Sequence, residues 1–341
     1  MVPVIRTLQA AWPETRLTWI IGRTEAALLG DLDGVECITF DKRAGRRALS
    51  ASLGSRAFDA LVLMQVALRA GMASTAVRAP LRLGFDRARS RDGHSLFINR
   101  RIAPHPRAHV LDGFFDFAAA LGVEHRVLRW DIPVPADARE RAAELIPDDQ
   151  PTLVISPCAS HSFKNWLPDR YAAVAAEAVR RYKLRIVLCG GPSAEERRYG
   201  EIIAERSGAS VVNMIGQTSL KELLAVLGRA TAVISPDSGP AHMATAAGTP
   251  VVGLYAATNP HRTGPYLGRE WTVNRYPEAV HAAFGRGVEA IRWGRRVRTP
   301  DAMALIETDA VLERLDALLQ TPEDERLRAP ESATPPGLAD A

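Results

Sequence analysis

The segment Ile234-Ser235-Pro236-Asp237-Ser238-Gly239-Pro240-Ala241-His242 joins an apolar run at 231–234 to a stretch of helical character at 241–247. A short apolar strand that passes through a polar turn into a helix is the repeating unit of a parallel α/β sheet. This alternation predicts an α/β fold with doubly wound parallel sheets and helices on both faces. Similar apolar runs recur at 17–21, 59–64 and 81–85, and again at 152–156, 184–189, 211–212 and 251–254.

The turn in this segment also has the composition of an anion site. Ser238 is a favoured N-cap residue, and Gly239 lets a ligand approach the backbone. The unpaired N–H groups and the positive dipole end of a helix start bind anions. Asp237 and His242 add a carboxylate and an imidazole, so the turn predicts a phosphorylated ligand with hydroxyl groups, such as a nucleotide sugar. An ordinary connection capped by serine is the alternative.

The length of 341 residues predicts two domains. A Pro- and acid-rich stretch at 132–151 is the expected linker, which gives Rossmann-like domains at 1–145 and 146–320. Ligands of such sheets bind beyond the carboxyl ends of the strands, here in a cleft between the domains. The tail at 321–341, rich in Pro, Glu, Asp and Ala, is predicted to be disordered.

The composition is that of a soluble globular protein, with 47% hydrophobic and 24% charged residues. No apolar run is long enough to cross a bilayer, and the first residues lack the order of a signal peptide. The three cysteines are far apart and odd in number, which favours a reducing cytosol over a disulfide framework. No group of residues has metal-ligand spacing, so no metal and no other cofactor is expected.

Arginines cluster along the chain, although the formal net charge is only +4. A solvated surface explains any single cluster, but together they predict an anionic acceptor or an anionic membrane face as partner. Nucleic acid is not an expected partner, because aromatic residues make up only 6% of the chain and are not interleaved with the basic runs. The clusters are Arg43, Arg46 and Arg47; Arg87, Arg89 and Arg91 with Arg100, Arg101, His105 and Arg107; and Arg292, Arg295, Arg296 and Arg298.

Two further turns carry polar side chains directly after predicted strands. In the first, Ser160 can donate to a phosphate oxygen and Lys164 can neutralise one. In the second, Thr218 precedes a helix that Ser219 caps, and the backbone there can line a base pocket. A surface loop with a solvated lysine and an ordinary helix cap remain the respective alternatives.

A pair of glycines, Gly190 and Gly191, follows the apolar run at 184–189. Glycines at a strand end permit close backbone approach, and Glu195 or Glu196 in the next helical turn can accept from a ribose hydroxyl. One of the two acids needs no role beyond complementing the helix dipole. The G-x-G-x-x-G fingerprint is absent here, which disfavours a nicotinamide dehydrogenase.

These motifs together resemble the ADP-heptose:lipopolysaccharide heptosyltransferases, glycosyltransferase family 9, whose fold is GT-B. The segment at 237–242 is similar to the D-[ST]-G-x-x-H signature of the family. The segment Lys164-Asn165-Trp166-Leu167-Pro168 is similar to its K-x-W-P region, with Leu167 inserted before the proline. The turn at 216–220 is similar to the element that lines the adenine pocket, and the resemblance covers nearly the whole chain.

The resemblance implies inverting transfer of L-glycero-D-manno-heptose from ADP-heptose to the inner core of lipopolysaccharide. The acceptor is then Kdo–lipid A, slightly favoured, or its heptosylated form. The resemblance also implies a cytoplasmic protein, peripheral at the inner membrane. The donor-binding residues that it implies are Ser160 and Lys164 at the diphosphate, Glu195 or Glu196 at the ribose, Thr218 at the adenine, and Asp237, Ser238, Gly239 and His242 at the phosphates and heptose.

The start of the chain departs from the family pattern. Members begin with a strand, central in the first sheet, and a glycine-aspartate turn whose aspartate is the general base. Met1-Val2-Pro3 resembles a point inside the helix that follows, so the base is expected upstream of Met1 and no catalytic residue is assigned. Weak binding and slow transfer are then expected. The alternatives are a truncated, catalytically impaired sugar-nucleotide binder and a GT-B transferase for another donor, such as a UDP-hexose.

Overall fold

The computed structural model describes residues 1–41, 43, 45–147, 150–299 and 301–330. They form two compact units, and the second unit begins at Val134. Within these described ranges, no helix combines the length and apolarity that spanning a bilayer requires.

The first unit contains two separate parallel sheets. Strands β1 and β2 pair with Leu17 opposite Val35, and β3, β4 and β5 form the other sheet with Leu83 opposite Arg100. The elements of this unit are α1 (Val2–Ala11), β1 (Leu17–Ile21), α2 (Arg23–Leu29), β2 (Val35–Thr39), α3 (Gly45–Leu53), β3 (Ala60–Leu63), α4 (Leu68–Ser74), β4 (Leu81–Gly84), β5 (Arg100–Arg101) and α5 (Val110–Ala120).

Apolar side chains from α3 and α4 cover both sheets of the first unit on one face. Leu49 and Leu53 of α3 pack in one cluster with Ile20 of β1 and Leu61 of β3. The opposite faces have separate clusters, one between α1 and the β1–β2 sheet and one around Phe117 of α5. The first unit is therefore an α/β sandwich as expected, although its strands form two sheets.

The second unit is built on one parallel sheet of six strands, in the order β11-β10-β9-β6-β7-β8. Its strands are β6 (Thr152–Ile155), β7 (Arg185–Leu188), β8 (Val211–Asn213), β9 (Ala232–Pro236), β10 (Val251–Tyr255) and β11 (Val273–Asn274). Its helices are α6 (Ala136–Leu145), α7 (Pro168–Tyr182), α8 (Ala194–Arg206), α9 (Leu220–Arg229), α10 (Gly239–Ala246), α11 (Pro260–Thr263), α12 (Tyr276–Phe284) and α13 (Thr308–Gln320).

The strand order of the second unit reverses between β6 and β9. From β6 the chain winds outward through β7 and β8, then returns to the other side of β6 as β9 and continues outward through β10 and β11. All residues of β6, β9 and β10 are buried, which explains their continuous apolar runs. At such a reversal the two chain connections leave in opposite directions, and the crevice between them at the carboxyl ends is where doubly wound sheets bind ligands.

Two boundaries differ from those expected from the sequence. Helix α6 packs against α9, so the second unit starts near 134 instead of at 146. The residues at 321–330 are ordered, whereas the sequence predicts disorder there. Trp271 Nε1 donates to the carbonyl of Arg326 at 2.7 Å, and the N–H of Gly268 donates to the carbonyl of Arg328 at 3.1 Å. Composition alone does not reveal these backbone acceptors. The remainder of the predicted tail, 331–341, lies outside the described residues.

Substitution of Arg326 tests the ordered segment. Its Nε donates to the carbonyl of Thr321 at 2.9 Å, and its Nη2 donates to that of Leu319 at 3.2 Å. We expect Arg326→Ala to lower the free energy of unfolding by about 1–2 kcal/mol in urea titrations, because both charge-assisted bonds are lost. Asp324→Ala, at an exposed neighbour, is the matched control. Equal effects of the two substitutions would show that the Arg326 side chain does not stabilise the segment.

Candidate functional site

The turn after β9 leaves the start of α10 open to a ligand. Ser238 occupies the N-cap position, but its side chain makes no bond to the helix. Its Oγ lies 2.7 Å from Oγ of Ser235, and both side chains are buried. Ser238 is therefore the N-cap residue, as predicted, but its side chain does not cap the helix because Ser235 competes for it. A Cβ placed on Gly239 would meet no atom within 4 Å, so there is open space beside the first turn.

Lys164 and Asp237 meet at the point where the strand order reverses. Lys164 follows β6 and is only 7% exposed, and its Nζ donates to the Asp237 carbonyl oxygen at 2.5 Å. The same Nζ lies 3.3 Å from Asp237 Oδ2. A buried ammonium is stable only with such partners, and here both come from the β9 turn. The alternative of a solvated surface lysine does not hold for this residue.

His242 completes the group on the other side of Asp237. Its Nε2 lies 3.9 Å from Asp237 Oδ1, and half of its side chain is exposed. Desolvation by the surrounding protein lowers the pKa of His242, against the attraction of Asp237, which raises it. The ring is therefore mainly neutral at neutral pH, and Lys164 is the cation of this group.

Asn165 links two of the predicted loops. Its Oδ1 accepts from the N–H of Ala159 at 2.8 Å, and its Nδ2 donates to Glu195 Oε1 at 3.2 Å. Asn165 is buried, whereas Ser160 is exposed on the same loop. The sequence prediction missed Asn165 as a site residue, because nothing in its position beside Lys164 indicates that its amide reaches another loop.

The two neighbouring acids of α8 have different hydrogen-bond partners. The Glu196 carboxylate accepts from the N–H of Gly191 and from Ser193 Oγ, and Ser193 Oγ accepts from the N–H of Glu196 at 3.2 Å. Glu196 is thus committed to the start of α8. Glu195 is exposed, and Asn165 orients its carboxylate toward the loop that follows β6.

Thr218 lies half-buried in the turn between β8 and α9. The N–H of Gly216 in this turn donates to the carbonyl of Gly190 at 3.0 Å, which joins the turn to the glycine pair after β7. Gly216 has φ +72°, a left-handed conformation that glycine adopts without strain. The expected cap is present, since Ser219 and Glu222 bond reciprocally, and these bonds lower the pKa of Glu222.

Two buried polar groups that follow the strands next to β9 have no hydrogen-bond partner among the described residues. They are Ser156 Oγ, directly after β6, and Asn259 Nδ2, four residues beyond the end of β10. Strands β6 and β10 both pair with β9, the strand that leads to Asp237. The Asn-Pro pair at 259–260 is recognisable as a helix start in the sequence, but its unused amide is not.

Cys158 is the thiol of the loop after β6. Burial, and then the neighbouring Glu196 and Glu195 carboxylates, raise the pKa of Cys158 to about 12. The thiol is therefore protonated at neutral pH and is not a nucleophile. The described residues contain no group of three or more His, Cys, Asp or Glu side chains placed to hold a metal ion.

Comparison with known proteins gives consistent matches. The sequence model of glycosyltransferase family 9 (heptosyltransferase) matches residues 46–286. The lipopolysaccharide core heptosyltransferase OpsX of Haemophilus influenzae is 36% identical over 318 residues, which cover 92% of this chain and 91% of that protein. The lipopolysaccharide heptosyltransferase 3 of Escherichia coli is 24% identical over 290 residues, covering 80% of this chain and 81% of that protein.

Solved structures share the fold across nearly the whole chain. A glycosyl transferase of family 9 from Veillonella parvula has a TM-score of 0.75 at 19% identity and covers 93% of this chain and 92% of its own. The E. coli heptosyltransferase WaaC with ADP has a TM-score of 0.69 at 19% identity and covers 93% of this chain and 94% of its own. The fold is therefore GT-B, as the sequence predicts.

The bonds of Glu196 predict that it contributes to stability. We expect Glu196→Ala to lower the free energy of unfolding by about 1–2 kcal/mol, because the start of α8 and the Gly191 N–H lose their acceptor. Glu201→Ala, at an exposed residue of the same helix, is the matched control and should stay within about 0.5 kcal/mol of the parent in the same urea titration. Equal losses in the two variants would contradict the structural role of Glu196.

Proposed function

The chain belongs to glycosyltransferase family 9, the heptosyltransferases, and we propose that it transfers heptose with inversion from ADP-L-glycero-D-manno-heptose. It is a glycosyltransferase, and its activity is heptose transfer in the synthesis of the lipopolysaccharide core. The proposal for the donor depends on one observation. Buried Lys164, Asp237 and the open start of α10 meet where the strand order reverses.

The chemistry of the proposed reaction requires positive charge at the leaving group. The acceptor hydroxyl oxygen attacks the anomeric carbon of the heptose while the bond from that carbon to the β-phosphate oxygen breaks. ADP departs with the bonding electron pair, and the hydroxyl proton passes to a base. In this proposal, Lys164 and the backbone N–H groups of Ser238 and Gly239 stabilise the charge that grows on the diphosphate.

Asp237 has a positioning role in this proposal. Its carbonyl and carboxylate hold Lys164 Nζ from two directions, and its other carboxylate oxygen faces His242. A diphosphate that arrives at the start of α10 takes over part of the interaction with Lys164. The Asp237 carboxylate is then available to the heptose hydroxyls, and the neutral His242 can bond to a hydroxyl or a phosphate oxygen.

The nucleoside part of ADP is assigned to the turns after β7 and β8. Glu195 is the acid that we assign to the ribose hydroxyls, because Glu196 is engaged with Gly191 and Ser193. Thr218 is assigned to the adenine, beside the turn that Gly216 joins to Gly190. Ser160, exposed on the loop after β6, is assigned to the diphosphate together with Lys164.

The acceptor that we propose is the inner core of lipopolysaccharide, with Kdo on lipid A favoured over a heptosylated core. Because that acceptor is a membrane lipid, the protein is proposed to work in the cytoplasm in peripheral contact with the anionic face of the inner membrane. Nucleic acid is not a proposed partner.

The direct experiment is an assay for ADP release. The purified protein is incubated with ADP-heptose and either Kdo–lipid A or heptosylated core, and a UDP-hexose replaces ADP-heptose in a parallel arm. The proposal expects ADP release only with ADP-heptose and faster with Kdo–lipid A. Preference for the UDP-sugar would overturn the donor assignment, and calorimetric binding of ADP-heptose without turnover would indicate a sugar-nucleotide binder.

The donor site predicts large losses from two substitutions. Lys164→Ala removes the buried cation, and Asp237→Ala removes the carboxylate beside it, so we expect kcat/KM for the donor to fall roughly 100-fold or more in each. His281→Ala, at an exposed residue of α12, is the control and should be unchanged. Equal, small effects of all three substitutions would show that the donor binds elsewhere.

A further inference from the structure

Three large apolar side chains of the first unit are unusually exposed. Leu96, Met72 and Leu68 are 84%, 56% and 50% exposed, and no other large hydrophobic residue of the described chain exceeds 38%. Single exposed apolar residues are common on protein surfaces, but a contiguous group marks a contact surface.

The two elements that carry these side chains are in contact. Leu68 and Met72 are four residues apart on α4 and therefore lie on the same face of that helix. Leu96 ends the short 3-10 turn His94–Leu96, and the ring of the next residue, Phe97, packs so closely on Gly71 of α4 that an added Cβ would clash with it. We call Leu68, Met72 and Leu96 the apolar patch.

The apolar patch rests on a fixed framework. Arg82 of β4 donates from Nη2 to the carbonyl of Ser74, at the end of α4, at 2.9 Å. The same guanidinium donates from Nε to the carbonyl of Phe97 at 2.8 Å. Because one side chain bonds both to the helix and to the turn, the exposed residues lie on ordered structure and not at the tip of an unsupported loop.

The chain segment that carries the apolar patch is rich in positive charge. Residues 60–109 contain nine arginines, two aspartates, and no lysine or glutamate, in a chain whose formal net charge is +4. One of the two aspartates, Asp86, is paired with Arg89. Arg69 of α4 and Arg100 and Arg101 of β5 are exposed, and no described carboxylate lies within ion-pair distance of them.

The patch lies close to the carboxyl edge of its sheet. Helix α4 is the element that follows β3, and His94 Nε2 accepts from the N–H of Phe85, the first residue beyond β4, at 3.1 Å. Parallel α/β sheets bind their ligands at this edge. A surface that meets the patch therefore meets the side of the first unit where a ligand is expected.

We propose that the apolar patch and the exposed Arg69, Arg100 and Arg101 of the same unit dock this protein on a bilayer that contains anionic phospholipids. Leu96, Met72 and Leu68 enter the boundary between head groups and acyl chains, and the arginines pair with lipid phosphates. The combination fits a membrane better than a free anion, because a bound anion would leave the three apolar side chains exposed to water. The inference rests on the proposed function only in that a lipid acceptor gives the docking its purpose.

Vesicle flotation tests the docking with the full chain. The protein should float with vesicles that contain phosphatidylglycerol and not with phosphatidylcholine alone, and added salt should weaken the binding. Combined Leu96→Ser and Met72→Ser should weaken partitioning roughly tenfold or more, and combined Arg100→Gln and Arg101→Gln roughly fivefold for each arginine. Leu305→Ser and Arg198→Gln, at exposed positions of the second unit, are the matched controls. Equal binding by patch and control variants would overturn the proposal.

A fluorescent label at position 96 gives an independent readout. Leu96→Cys in a Cys37→Ser background, labelled with an NBD fluorophore, should brighten and shift to the blue on phosphatidylglycerol vesicles, whereas the same label at Leu305→Cys should not. Patch-dependent self-association without vesicles, and an unchanged label signal with them, would each contradict membrane docking.

Transfer to a detergent-dispersed acceptor should be normal in the Leu96→Ser, Met72→Ser variant. A parent protein that binds vesicles and transfers nothing would refute the proposed function alone.

Discussion

A buried ammonium group needs an anionic partner, and in this protein the pair Lys164 and Asp237 connects the loops that follow two neighbouring strands. Lys164 comes from the loop after β6 and Asp237 from the turn after β9, and their contact exists because β6 and β9 are adjacent where the strand order reverses. The start of α10 follows Asp237 directly, with the Ser238 side chain turned away to Ser235. A cation and a helix start without a side-chain cap are therefore held next to each other by Asp237, an arrangement that can stabilise a diphosphate leaving group.

Hydrogen bonds join the loops that surround this pair to one another. Asn165 fixes the loop after β6 to Glu195, Glu196 fixes the glycine pair after β7, and Gly216 fixes the turn after β8 to that pair. These bonds order the carboxyl edge of the second unit before a ligand arrives. An edge that is ordered in advance loses less entropy on binding, so the same contacts give tighter binding.

Much of this was predictable because buried parallel strands have a strong sequence signal. The runs at 152–156, 184–189 and 231–234 mark β6, β7 and β9, and the helix predicted after the turn at 237–240 is present as α10. Side-chain partners at longer range were not predictable. Ser238 is a favoured cap residue, but its side chain bonds to Ser235 instead. Asn165 bonds to a residue of another loop, and Arg326 stabilises a segment whose composition indicates disorder. Each depends on which groups meet in three dimensions, and local propensity does not contain that information.

The buried lysine and the open helix start are proposed to bind the diphosphate of the donor, and a crystal structure of the protein with ADP is the decisive measurement. We expect the two phosphates to lie against the N–H groups of Ser238 and Gly239, with one phosphate oxygen within hydrogen-bond distance of Lys164 Nζ and the ribose beside Glu195. Well-defined density for ADP at any other place on the second unit, with the turn at 237–242 unoccupied, would contradict it.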